Sequence, residues 1–192
     1  PFYYWLMAIL YSIPSNEVWD ELGSISARLP SALSALFLMI MIADTIYCST
    51  DNSKDKMQLS LIAALSFVLS PLIIIWSRTA VSDSLLCASL GASLLSFWRK
   101  VSSEDESICI VPWILLSIAI LTKGPVALII SFITLFGFFL THKNWQKLFF
   151  KISPFKGLFL TFLISSPWYF IQLFFSGKVF WNSFFGYHNL QR

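Results

Sequence analysis

The chain has 192 residues, of which 57% are hydrophobic, 17% aromatic and only 12% charged, with a formal net charge of +3. Soluble domains carry roughly 25% charged residues; half that figure, a mean hydropathy of +0.73 and repeated apolar runs exclude an ordinary soluble domain and imply a polytopic membrane protein. The cysteines Cys48, Cys87 and Cys109 lie in or beside apolar runs without metal-ligand or disulfide-framework spacing, and read as small core residues.

In chain order the apolar runs lie at 1–13, 30–48, 59–76, 84–98, 108–121, 125–141 and 157–175. They are continuously apolar rather than alternating, so they fit helices and not barrel strands. A crossing takes about 17–25 residues, which makes 84–98 and 108–121 short. Trp76 and Trp98 close two runs and Trp113 lies near the start of another, as in an interfacial aromatic belt. The chain opens on Pro1 inside PFYYWLMAILY and stops at HNLQR, so it reads as one transmembrane domain, 1–192, that is a piece of a longer protein. The expected fold class is all-α, a polytopic bundle of transmembrane helices.

The connections then fall into two sets. One, at 49–58, 99–107 and 142–156, holds Lys54, Lys56, Arg99, Lys100, Lys143, Lys147, Lys151 and Lys156; the other holds Arg28, Arg78, Lys123, Lys178 and Arg192. The positive-inside rule puts the first set in the cytoplasm. Asp44 falls near the cytoplasmic end of its run, within reach of the interface.

The stretch LTKGPVAL, Leu121 to Leu128, interrupts the longest apolar region with a cation and two helix breakers. A single helix over 108–140 would be roughly 50 Å long at about 1.5 Å per residue, well beyond a hydrocarbon core of about 30 Å. It would also erase the charge asymmetry. The spacing therefore predicts a hairpin on the non-cytoplasmic side, with Gly124 making the turn and Pro125 in the first turn of the next helix.

That side carries few cations, several placed tightly against a span, namely Arg28, Arg78, Lys123 and Arg192, and Asp83 and His188 lie on the same face. Cations clustered there suit a lipid-linked phosphate, which Arg and Lys bind through charge-assisted hydrogen bonds that are less screened near hydrocarbon. Each also has a plainer reading. Arg28 can anchor a helix start by snorkelling, Asp83 can serve a helix N-terminus, Arg78 can pair with Asp83 across the short loop, and His188 can be merely solvated. Lys123 has the weakest plain reading, because nothing obliges so short a turn to carry a cation.

Nucleotide and zinc chemistry have no signature here: there is no Gly-rich phosphate loop, paired-Cys motif or His-Glu-x-x-His. The basic, aromatic stretch KNWQKLFFKISPFK reads as a cytoplasmic surface meeting anionic lipid, not as a nucleic-acid partner site.

PFYYWL resembles the end of the Lys-Pro-Pro-x-Tyr-Tyr-Trp segment of polyprenol-phosphate-sugar glycosyltransferases, which include the aminoarabinose transferases of lipid A and the protein mannosyltransferase group. ARLPSAL (Ala27–Leu33), SRTAVSDSLL (Ser77–Leu86), LTKGPVAL, SPWYF and FFGYHNLQR (Phe184–Arg192) follow in that family's order and at similar spacing. The resemblance implies part of a large GT-C fold. It implies transfer of a sugar from a polyprenyl-phosphate carrier to a lipid, glycan or protein acceptor on the non-cytoplasmic face, in a bacterial inner membrane. It places the catalytic aspartate on an outer loop before the Pro-Pro segment, so the expectation is that this piece contains no base and is inactive alone. It assigns Lys123, Arg192 and, more weakly, Arg78 to the donor phosphate. Asp83 becomes a supporting carboxylate that orients the cations, and His188 a contact to sugar or acceptor. No cofactor is assigned, and a divalent metal is left open. The competing readings are a transporter or flippase for a lipid-linked or anionic substrate, and a scaffold subunit whose charges only fix topology. Charges grouped at one face rather than at the midplane favour the transferase.

Overall fold

A computed structural model describes residues 1–12, 24–103, 109–142 and 145–180. Within them the chain is all-α: α1 (Phe2–Tyr11), α2 (Ser24–Ser49), α3 (Ser53–Val68), α4 (Pro71–Arg78), α5 (Ser82–Ser102), α6 (Val111–Lys123), α7 (Val126–Thr141), α8 (Trp145–Lys151) and α9 (Pro154–Phe180), with no strand among the described residues. His188 and Arg192 lie outside the described residues.

Helix α5 is the centre, packed chiefly on α6 and α2. It runs parallel to α2. Near the start of both, Ser84 Oγ donates to Ser31 O at 2.8 Å. Midway, the α-carbon of Gly91 lies so close that a Cβ there would meet Leu38 Cδ1 at 3.0 Å. At the far end Arg99 Nη1 donates to Asp44 Oδ2 at 2.5 Å. Helix α6 runs antiparallel to α5, with Ser93 Oγ donating to Pro112 O at 2.8 Å and Phe97 meeting Trp113 edge-on at 4.9 Å. Trp98 meets Phe138 at the same end, so α6 and α7 leave and return to one end of α5, as a hairpin must. Helix α9 runs alongside α6: Thr161 Oγ1 donates to Trp113 O at 3.2 Å and Tyr169 Oη to Ile120 O at 2.9 Å.

A buried apolar cluster around Phe97, Trp113, Leu116 and Ile152 is joined by buried hydroxyls, while many large apolar side chains lie on the outside. Ser93 and Ser117 are fully buried, whereas Phe174 on α9 is 86% exposed and Phe132 on α7 is 68% exposed. Lipid gives apolar side chains no reason to hide, so small and hydroxyl residues enter the helix contacts and many large apolar ones can face outward. Two stretches, Ile25–Ser49 and Trp145–Gly177, are long and apolar enough to cross a membrane. A third exists if α3 and α4 are taken as one broken span. The run at 59–76 indeed contains that break: Pro71 lacks the N–H to continue α3, and α4 restarts there bent by 63°.

Candidate functional site

The two charges that the sequence left 40 residues apart meet at one end of the bundle: Lys123 Nζ donates to Asp83 Oδ1. Each helix end is shaped for its charge. Helix α4 stops at Arg78, Thr79 and Val81 are extended, and α5 starts at Ser82 with no side-chain cap, placing Asp83 in the first turn. A carboxylate there complements the helix dipole. Lys123 occupies the last turn of α6, where a cation does the same. The helix ends because Gly124 takes φ 89° and ψ −157°, a region closed to residues with a Cβ, and Pro125 with φ −65° leads into α7.

The pair is open to solvent, with the Lys123 side chain 47% and the Asp83 side chain 35% exposed. Such a pair contributes at most about 1 kcal/mol to stability. It also leaves Lys123 reachable by an incoming anion. Arg78, at the end of α4, is exposed. Among the described residues Asp83 is paired with Lys123, not with Arg78, so the loop-spanning Arg78–Asp83 pair is not the one formed. Arg28 is exposed near the start of α2. Asp44 is paired across helices with Arg99, the two side chains 48% and 38% exposed.

An apolar cleft of about 360 Å³ lies between α1, α2, α5 and α6. Its α5 wall begins at Leu85, two residues beyond Asp83, and its α6 wall includes Ile118 and Leu115, on the turns that precede Lys123. An apolar groove among these four helices suits a prenyl or acyl chain; neither Asp83 nor Lys123 lines it.

A buried polar node lies behind the first turn of α5. Tyr3 Oη lies 2.8 Å from Ser31 Oγ and donates to Ala27 O at 3.0 Å; Ser31 Oγ donates to Val81 O at 3.1 Å; Ser84 Oγ donates to Ser31 O at 2.8 Å. Tyr3 and Ser31 are 2% and 0% exposed. Sequence reasoning singled out the segments but not these hydroxyls; the signal available was a Tyr and several Ser inside otherwise apolar motifs. Among the described residues no three His, Cys, Asp or Glu side chains gather where they could hold a metal ion.

Comparison with known proteins places this arrangement in context. Residues 1–171 match the dolichyl-phosphate-mannose-protein mannosyltransferase family. An uncharacterised protein of Aquifex aeolicus is 32% identical over 196 aligned positions, covering 100% of this chain and 40% of that protein. Undecaprenyl phosphate-alpha-4-amino-4-deoxy-L-arabinose arabinosyl transferases are similar too. That of Wigglesworthia glossinidia brevipalpis is 30% identical over 76% of this chain and 25% of its own length. That of Erwinia tasmaniensis is 26% identical over 98% and 32%. The chain thus spans well under half the length of these relatives. No solved structure matches it.

Proposed function

The chain belongs to the dolichyl-phosphate-mannose-protein mannosyltransferase family, and on that premise we propose that the full-length protein moves a sugar from a polyprenyl-phosphate carrier to a lipid, glycan or protein acceptor. The relatives named as undecaprenyl phosphate-aminoarabinose arabinosyl transferases support an undecaprenyl-type donor, and the membrane of this proposal is the bacterial plasma membrane. The observation that carries the reading is the Lys123–Asp83 pair: a half-exposed cation that the fold brings to a partly exposed carboxylate at one end of the bundle.

In this reading the phosphate of the donor engages Lys123, with Arg78 and Arg192 contributing, and the prenyl chain extends along the apolar cleft. As the glycosidic bond breaks, negative charge accumulates on the departing phosphate, and cations already in place stabilise it. The sugar carbon gains oxocarbenium character. A phosphate leaving group needs neutralising more than protonating, so the site uses cations rather than a general acid. Asp83 holds Lys123 in orientation, and His188 contacts sugar or acceptor. No residue of this chain is assigned as the base, and the activity is that of the full-length protein. The site faces the exterior, because the cation-rich ends of α5 and α8 define the cytoplasmic side by the positive-inside rule.

The test is transfer by the full-length protein from a panel of polyprenyl-phosphate sugars, alongside Lys123→Ala. The expected result is turnover with one donor class, abolished in Lys123→Ala while membrane insertion is kept. Unchanged turnover in the variant would refute the phosphate role.

A further inference from the structure

Three of the segments singled out in the sequence converge on one buried node that the proposed chemistry leaves unused. Tyr3 comes from PFYYWL, Ala27 and Ser31 from ARLPSAL, Val81 and Ser84 from SRTAVSDSLL. They sit on α1, α2, the α4–α5 loop and the first turn of α5, and they are joined by hydrogen bonds between hydroxyls and backbone carbonyls.

The node acts on one particular piece of chain. Ser31 grips it on both sides of Asp83: its hydroxyl donates to the carbonyl of Val81, and its own carbonyl accepts from the hydroxyl of Ser84. Asp83 lies between those two anchors. Val81 offers α5 no side-chain cap, so this grip from α2 replaces a local device for fixing where the helix begins. Ser31 in turn follows Pro30, which is buried inside α2 and brings no N–H to the helix ladder. Two hydroxyl protons serve the three contacts of Tyr3 and Ser31, and each hydroxyl carries one. Ser31 donates to Val81 O and so satisfies the loop carbonyl, while the single Tyr3 proton goes to Ala27 O or to Ser31 Oγ. Losing that donor would leave the part-buried Val81 carbonyl short of a partner, which is unfavourable.

We infer that Ser31, backed by Tyr3 and Ser84, is a positioning residue: it sets the start of α5 so that the Asp83 carboxylate meets the Lys123 ammonium. Its consequence for catalysis rests on the reading of Lys123 as the phosphate-binding cation, but the geometric claim does not.

The experiment reads Lys123 directly. The full-length protein in detergent is treated briefly with an amine-acylating reagent, and modification of Lys123 is measured by mass spectrometry against exposed Lys156 as internal reference. Losing an exposed ion pair frees the amine by about two- to fivefold. Asp83→Asn, Ser31→Ala and Ser84→Ala are each expected to raise Lys123 labelling by that factor. Ser84→Thr, which keeps the hydroxyl, stays at the wild-type level, and Ser31→Ala adds nothing in the Asp83→Asn background. Wild-type labelling in both Ser→Ala variants overturns the inference. So does an additive rise in the double variant, because Ser31 would then act on Lys123 by another route. Ser84→Ala removes a hydroxyl from a carbonyl acceptor and leaves the backbone alone, so it serves if Ser31→Ala fails to fold. Binding of polyprenyl phosphate is measured on the same samples. If Lys123→Ala binds it as wild type does while the labelling pattern holds, the phosphate role fails and the positioning role stands.

Discussion

Gly157 lies against the indole of Trp113 so closely that a Cβ would fall 2.0 Å from Cε2. This is a close approach of α9 to α6, and it is held from both sides. Trp113 Nε1 donates to Ile152 O at 3.0 Å, and Thr161 Oγ1 returns to Trp113 O. Glycine here lets two helices approach for packing and hydrogen bonds, which are what hold helices together in lipid.

Gly157→Ala is therefore expected to destabilise. The helix-propensity gain of about 1 kcal/mol is outweighed by overpacking of about 1–3 kcal/mol, at the upper end because the contact is so far inside van der Waals distance. The penalty should shrink in Trp113→Phe, whose smaller ring removes the indole atoms that a Cβ would strike. Unfolding in mixed micelles, run as a double-mutant cycle, measures both; equal penalties in the two backgrounds would refute the contact.

At the cation-rich end, Lys151 reaches from α8 to the C-terminus of α5, where Nζ donates to Val101 O at 3.1 Å and also to Ser103 O. It satisfies carbonyls the helix cannot, and its charge complements the dipole. Lys151→Met should cost about 1–2 kcal/mol and fray the last turn. Faster hydrogen exchange of the Ser103 amide, which donates to Arg99 O at 3.0 Å, is the readout; unchanged exchange would show that the cap is dispensable.

Asp44 and Arg99 form the second cross-helix ion pair, also half-exposed. Their coupling energy should be about 0.2–1 kcal/mol and fall with salt. A cycle of Asp44→Ala and Arg99→Ala measures it. A coupling well above that range would mean the pair sits in a drier place than its exposure indicates.

The readable parts of the fold were those with local causes. Gly124 and Pro125 break a helix wherever they stand, so the end of α6 at Lys123 followed from sequence. Composition alone called for helices. The bend between α3 and α4 was harder, because the run at 59–76 continues apolar through Ser70 and Pro71 and hydropathy does not register a missing N–H. Contacts between distant segments were not legible at all. Asp83 had an equally good partner in Arg78, five residues away, and only the antiparallel register of α5 and α6 selects Lys123. The Tyr3–Ser31–Val81 node was hidden for the same reason: a serine in an apolar run looks like a small packing residue until the carbonyl it serves is known.

The exposure of Lys123 leads to a final expectation for the full-length protein. A cation with 47% of its side chain open to solvent attracts an anion through a partly screened field. The Debye length shrinks from about 30 Å at 0.01 M salt to about 3 Å at 1 M. Affinity for polyprenyl phosphate should thus fall several-fold between those conditions in the wild type. Lys123→Gln removes the charge and keeps a polar chain of similar reach, so its affinity should be weak and nearly independent of salt. A neutral polyprenol, with the same prenyl chain and no phosphate, should bind both forms alike, because only the apolar cleft would hold it. Titration of the two lipids into nanodisc-embedded protein at low and high salt makes the comparison. A salt dependence that survives in Lys123→Gln would assign the phosphate to another cation, with Arg78 as the first to examine.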